Sequence, residues 1–174
     1  MKKGEITMDK LAKTREDLWL SISGLTNEQA NEVIEEGTWS IAQVIEHLHL
    51  MESNVVRGIT DALLSDEKLK AEQKSLEFVK DRTHKVKAPD NLVPSNDFKV
   101  LDRLKEELTN TRKALLECIK DIKEDDFNEI SFIHRRFGVL TIKQWVSLVG
   151  FHEQRHINQI VEIKQNLKLS KERL

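Results

Sequence analysis

The run Thr141-Ile142-Lys143-Gln144-Trp145-Val146-Ser147-Leu148-Val149-Gly150-Phe151-His152-Glu153-Gln154-Arg155-His156-Ile157-Asn158-Gln159-Ile160-Val161-Glu162-Ile163 decides how this chain is read. Ile142, Trp145, Val146, Val149, Ile160 and Ile163 recur at helical spacing and form one apolar stripe. At about 100° per residue, His152 and His156 fall inside that stripe, about 40° apart. Side chains four apart on a helix lie one above the other, so the two imidazoles are placed to converge on one metal ion. A third imidazole from the buried side of a facing helix would complete a three-histidine site with open coordination positions, the arrangement of a catalytic metal.

Working outward, the rest of the chain also reads as helix. Met8 to Ser23 carries Leu11, Leu18 and Leu20 and is broken by Gly24. Thr26 with Gln29 is a capping box for a short helix through Ile34, ended by Gly37. Ser40 with Gln43 opens a long helix from Ile41 to about Leu64, with the stripe Ile41, Val44, Ile45, Leu48, Val55, Ile59 and Leu63. Ser65 to Asp97 is charged and holds Pro89 and Pro94, which argue for a crossover loop. Its basic cluster, Lys80, Arg82, His84, Lys85 and Lys87, reads as a solvated loop or as an electropositive rim over a site. A further helix runs from about Phe98 to Ile122 on Leu101, Leu104, Leu108, Leu115 and Ile119. An irregular stretch through Gly138 follows, then Thr141 with Gln144 caps the last helix, which reaches about Leu167. The expected fold is all-α, a four-helix bundle with one long crossover, in a single domain over residues 1–174.

Composition agrees. The 174 residues include two prolines, six glycines and no tyrosine, and few β-branched runs alternate with period two. Charged residues make up 33%, with a formal net charge of −2, which carries no nucleic-acid footprint. No run is long and apolar enough to cross a bilayer, and neither a signal-peptide core nor a disulfide partner for Cys118 occurs. Cys118, on the flank of a stripe, reads as a small buried hydrophobe. These features predict a cytoplasmic protein with no nucleic-acid or membrane partner, and a metal site with open positions would take a small-molecule substrate.

Two histidines compete for the third ligand position. His47 lies beside Val44 and Met51 at one edge of its stripe, and His49 lies on the opposite flank, which favours His47 without deciding it. Glu52 sits near the centre of the same stripe, an expensive place for an unpaired carboxylate, and is expected to bond a ligating histidine or an arginine. Gln159 is a second candidate to orient a ligand. The run His152-Glu153-Gln154-Arg155-His156 also spells H-E-x-x-H, in which a glutamate acts as base to a zinc-bound water, making Glu153 the candidate catalytic residue. A metalloprotease is a weak reading, because Glu162 and Glu172, the acidic residues after His156, have no supporting motif. His134, Arg135 and Arg136, in the loop before the last helix, are candidate substrate contacts, the arginines for a carboxylate or phosphate.

Trp39-Ser40-Ile41-Ala42-Gln43-Val44-Ile45-Glu46-His47-Leu48 resembles the W-S/T-x-x-[EQ]-x-x-x-H-L entry of the DinB-like superfamily. His134-Arg135-Arg136-Phe137-Gly138 and His152-x-x-x-His156-x-x-Gln159-Ile160 are similar to its H-P-x-F-G and H-x-x-x-H-x-x-Q-I segments, with Arg135 where a proline is common. The resemblance implies a DinB/YfiT-like bundle, often dimeric, with zinc or nickel held by His47, His152 and His156. It also implies an activity of the kind found in that superfamily: a thiol S-transferase using a low-molecular-weight thiol such as bacillithiol, or a metal-dependent hydrolase. The alternative is a non-catalytic, stress-associated bundle in which the metal is structural.

Overall fold

The computed structural model describes residues 8–67 and 69–171, with side chains as far as 168. Helix α1 spans Met8–Ser21, α2 Asn27–Asn31, α3 Ile41–Leu64, α4 Leu101–Ile119, α5 Glu124–Glu129 and α6 Ile142–Lys171. All three capping boxes form: Thr26 and Ser40 accept from the backbone N–H of Gln29 and Gln43, and Thr141 from that of Gln144, while each glutamine Oε1 accepts the backbone N–H of its cap.

The core divides into two apolar clusters, and their membership fixes the helix directions. Leu11 of α1, Val55 and Ile59 of α3, Leu115 and Ile119 of α4, and Ile142 to Phe151 of α6 belong to one. Leu18, Ile41 to Leu48, Leu101 to Leu108, and Ile157 to Leu167 belong to the other. Helices α1 and α6 therefore run one way and α3 and α4 the other. Because α3 and α4 are parallel neighbours, the chain must travel back along the bundle between them. That return is the segment 65–100, irregular except for 3₁₀ turns at Glu77–Lys80 and Asp90–Leu92.

Between the clusters lies a layer of charge. Arg15 of α1, Glu52 of α3, Arg112 of α4 and Glu153 of α6 are all buried. Arg15 donates to Glu153 at 2.5 Å and to Glu52 at 2.7 Å; Arg112 donates to Glu153 at 2.9 Å and also to Glu52. The remaining guanidinium donors reach the carbonyls of Leu108, at 2.8 Å, and Leu11, at 3.1 Å. Burial opposes the charge on Arg112, but Glu153 and Glu52 outweigh it and hold its pKa above the ordinary value.

The structure departs from the sequence reading in several places. Leu20 and Leu63 face solvent, and the helix of the second capping box ends at Asn31, leaving Ile34 exposed. The stretch before α6 is ordered: α5 is followed by an antiparallel hairpin, β1 Ser131–His134 and β2 Gly138–Thr141, with Ser131 opposite Thr141 and His134 opposite Gly138. Gly138 adopts φ 71°, the left-handed conformation that closes a three-residue hairpin loop. Cys118 is half-buried beside Thr60.

Candidate metal centre

Helix α3 presents His47 and α6 presents His152 and His156, so that the three Nε2 atoms face one another. His152 Nε2 lies 3.3 Å from His47 Nε2 and 3.1 Å from His156 Nε2, and the donor atoms of all three lie within 4.8 Å of one another. His47 and His156 are buried, while His152 keeps partial exposure.

The tautomers of two rings are fixed by what surrounds them. His47 Nδ1 is 2.7 Å from the Leu92 carbonyl, which only accepts, so Nδ1 carries the proton and Nε2 a lone pair. His156 Nδ1 is 2.8 Å from Gln159 Oε1, and Arg82 donates to that same atom at 3.2 Å. A guanidinium only donates, so the atom is the amide oxygen and His156 Nε2 is again unprotonated. Burial pushes the pKa of His47 down despite the Leu92 carbonyl, that of His156 down to about 3, and that of His152 well below its ordinary value. For His152 the neighbouring His156, His47, Arg155 and His134 add to the effect of burial.

Two lone pairs thus point at His152 Nε2, which has one hydrogen at most to offer, and His152 Nδ1 is buried without a partner among the described residues. A divalent cation meets this arrangement. Imidazole nitrogens about 2.0–2.1 Å from a tetrahedral zinc lie about 3.3 Å apart, close to the two edges that meet at His152. Three neutral nitrogens gathered in this way suit a divalent metal.

The other predicted residues sort clearly. Gln159 reaches a ligating histidine. Glu52 meets arginines rather than a histidine. Glu153 is not brought to the histidines: both its oxygens are taken by Arg15 and Arg112 in the buried charge layer. With its glutamate committed there, the H-E-x-x-H run lacks the base that a metalloprotease requires. Glu162 pairs with Arg82 at 2.8 Å, and Glu172 lies outside the described residues. His49 does not join the centre. His134 occupies the end of β1, its ring stacked on Phe137 at 4.5 Å and tilted against Trp145 at 5.0 Å. Arg135 and Arg136 are exposed in the hairpin turn.

Residues 10–160 match the sequence profile of the DinB superfamily. The chain belongs to the DinB superfamily. It is 33% identical to the uncharacterized protein YuaE of Bacillus subtilis (strain 168) over 156 residues, 90% of this chain and 96% of YuaE. Among solved structures it resembles two four-helix bundle proteins. One is YfiT from Bacillus subtilis, described as a probable metal-dependent hydrolase with an unusual four-helix bundle topology (TM-score 0.64, 14% identity, 97% of this chain and 93% of that one). The other is TT2238 (TM-score 0.61, 18% identity, 89% and 95%). The parallel α3–α4 pair and its long return set the fold of this DinB chain apart from a simple up-and-down bundle.

The sequence reading placed Arg82 only in a basic cluster and gave Arg15, Arg112 and Arg155 no role. Arg82 and Arg155 fasten the crossover to α6: Arg82 binds Gln159 and Glu162, and Arg155 donates to the carbonyls of Val79, Asp81 and His84. Nothing local announces such contacts. Arg15 and Arg112 did leave a signal, since each stands between two core leucines, four after one and three before the next (Leu11 and Leu18, Leu108 and Leu115).

Proposed function

We propose that this chain is a metal-dependent enzyme acting on a small molecule, a hydrolase or thiol S-transferase. His47, His152 and His156 hold a divalent ion, zinc or nickel, and a water or a low-molecular-weight thiol attacks an electrophilic substrate. The observation that carries the reading is the convergence of three neutral Nε2 atoms, two of them with tautomers set by Leu92 and Gln159. A divalent ion there would supply Lewis acidity and draw the pKa of a water or thiol that reaches it towards neutrality.

The chain's own residues do the rest. Burial keeps the imidazoles neutral, so that they are ready to bind a cation without first losing a proton. Substrate would approach on the side of His152, the least buried of the three ligands. Glu153 is held by Arg15 and Arg112 and is not free to take a proton from the nucleophile. The description of YfiT as a probable metal-dependent hydrolase supports the same reading, and the resemblance noted in the sequence supports a homodimer.

Elemental analysis of protein purified without chelator should find about one divalent ion per chain, and His47→Ala or His152→Ala should empty the site. A wild type that arrives metal-free and takes up neither zinc nor nickel contradicts the proposal. Ester hydrolysis assayed beside conjugation of monochlorobimane with cellular thiols separates the two reaction classes. A metal-loaded protein silent in both would instead be a non-catalytic bundle.

A further inference from the structure

Outside the three ligands, His134 is a histidine whose ring is held from several sides and whose second nitrogen is unused. Its Nδ1 accepts two backbone N–H groups of the hairpin turn, from Arg136 at 3.0 Å and Phe137 at 3.1 Å. An atom that accepts from two donors carries no proton, so the hydrogen of the neutral ring sits on Nε2. The ring cannot swing away, because Phe137 stacks on it with planes 17° apart and Trp145 leans on it. Nε2 is not among the buried atoms that lack a partner, and no described protein group accepts from it. The ring also lies against α6 on the side of the metal centre, because Trp145, on which it leans, stands two turns before His152 on the same face of that helix.

We propose that His134 is a fixed, neutral hydrogen-bond donor that binds an oxygen of the substrate beside the metal centre, and that it never acts as a base. The ligand class follows: a small molecule presenting a carbonyl or carboxylate oxygen next to the group that meets the ion. Arg136, exposed in the same turn, adds positive charge on the same side and favours the anionic form of such an oxygen. Burial, with Arg136, pushes the His134 pKa down to about 4, consistent with a ring that stays neutral under ordinary conditions. The inference rests on the metal-centre reading above, and its test separates the two.

The probe is acetate, titrated into zinc-loaded protein. Long-range ¹⁵N histidine spectra should show His134 as the Nε2–H tautomer, unprotonated down to about pH 5, with its Nε2 signal moving as acetate binds. In His134→Asn the amide oxygen can replace Nδ1 in the turn while the outward donor is lost, so melting and zinc content should hold while acetate binds about tenfold more weakly. His134→Gln can keep a donor near Nε2 and should bind acetate better than His134→Asn. An Nδ1–H tautomer, or acetate affinity unchanged in His134→Asn, overturns the proposal. A chain that takes up no zinc contradicts the metal reading instead, because the tautomer is read on metal-free protein as well.

Discussion

A methyl group added at Gly58 would sit 2.4 Å from Cε2 of Phe132, whose ring is stacked flat on Trp145 with centroids 4.3 Å apart. Helix α3 and the hairpin touch there with no room for a side chain, and the ring cannot yield without leaving Trp145. Gly58→Ala should therefore cost about 1–3 kcal/mol in urea denaturation, the usual penalty for overpacking. His134, at the far end of the same strand, sets a pH response. Its pKa lies near 4 in the folded chain against 6.5 for a free ring, so the unfolded state binds the extra proton. Above pH 6.5 this linkage has no effect, and stability falls as the pH drops from about 6.5 towards 4. The acid side of a melting-temperature profile of metal-free protein should be shallower in His134→Asn than in wild type.

At the scale of the elements, two glutamines do double duty. Gln43 and Gln144 each close a capping box with Oε1, and each uses Nε2 to hold the crossover: Gln43 at Ser95 and Asn96, Gln144 at Glu72 and Lys74. The long return segment is thus tied at its two ends to the starts of the two helices that carry the histidines. Gln144→Ala should lower stability by about 1 kcal/mol through the cap, and hydrogen exchange should rise across residues 69–76 more than elsewhere in the crossover. The caps were legible because a capping box is a local pattern, and the long helices because their stripes repeat over several turns. The hairpin was not, since strands of four residues give alternation too little length to register. The crossover's attachment was not either, because it depends on carbonyls that residues far apart in sequence bring together.

For the whole molecule, the decisive feature is the layer of two arginines and two glutamates between the apolar clusters. Removing one member leaves a buried charge without its counterpart, so Arg112→Ala or Glu52→Ala should cost about 3–5 kcal/mol in chemical denaturation. Replacing all four with well-packed apolar residues should cost far less than the sum of the single changes, because the desolvation penalty disappears with the charges. The histidine centre was readable from sequence because its residues share the stripe that builds the core. The charge layer was half readable, since Glu52 stood out and called for a partner while nothing in the sequence said which arginines would supply it. Sliding any one helix by a single turn, about 5.4 Å, would drive a guanidinium or a carboxylate in among leucines. The bundle therefore has an axial lock, and imidazoles carried by two helices indexed against it arrive at a common height before any ion draws them together.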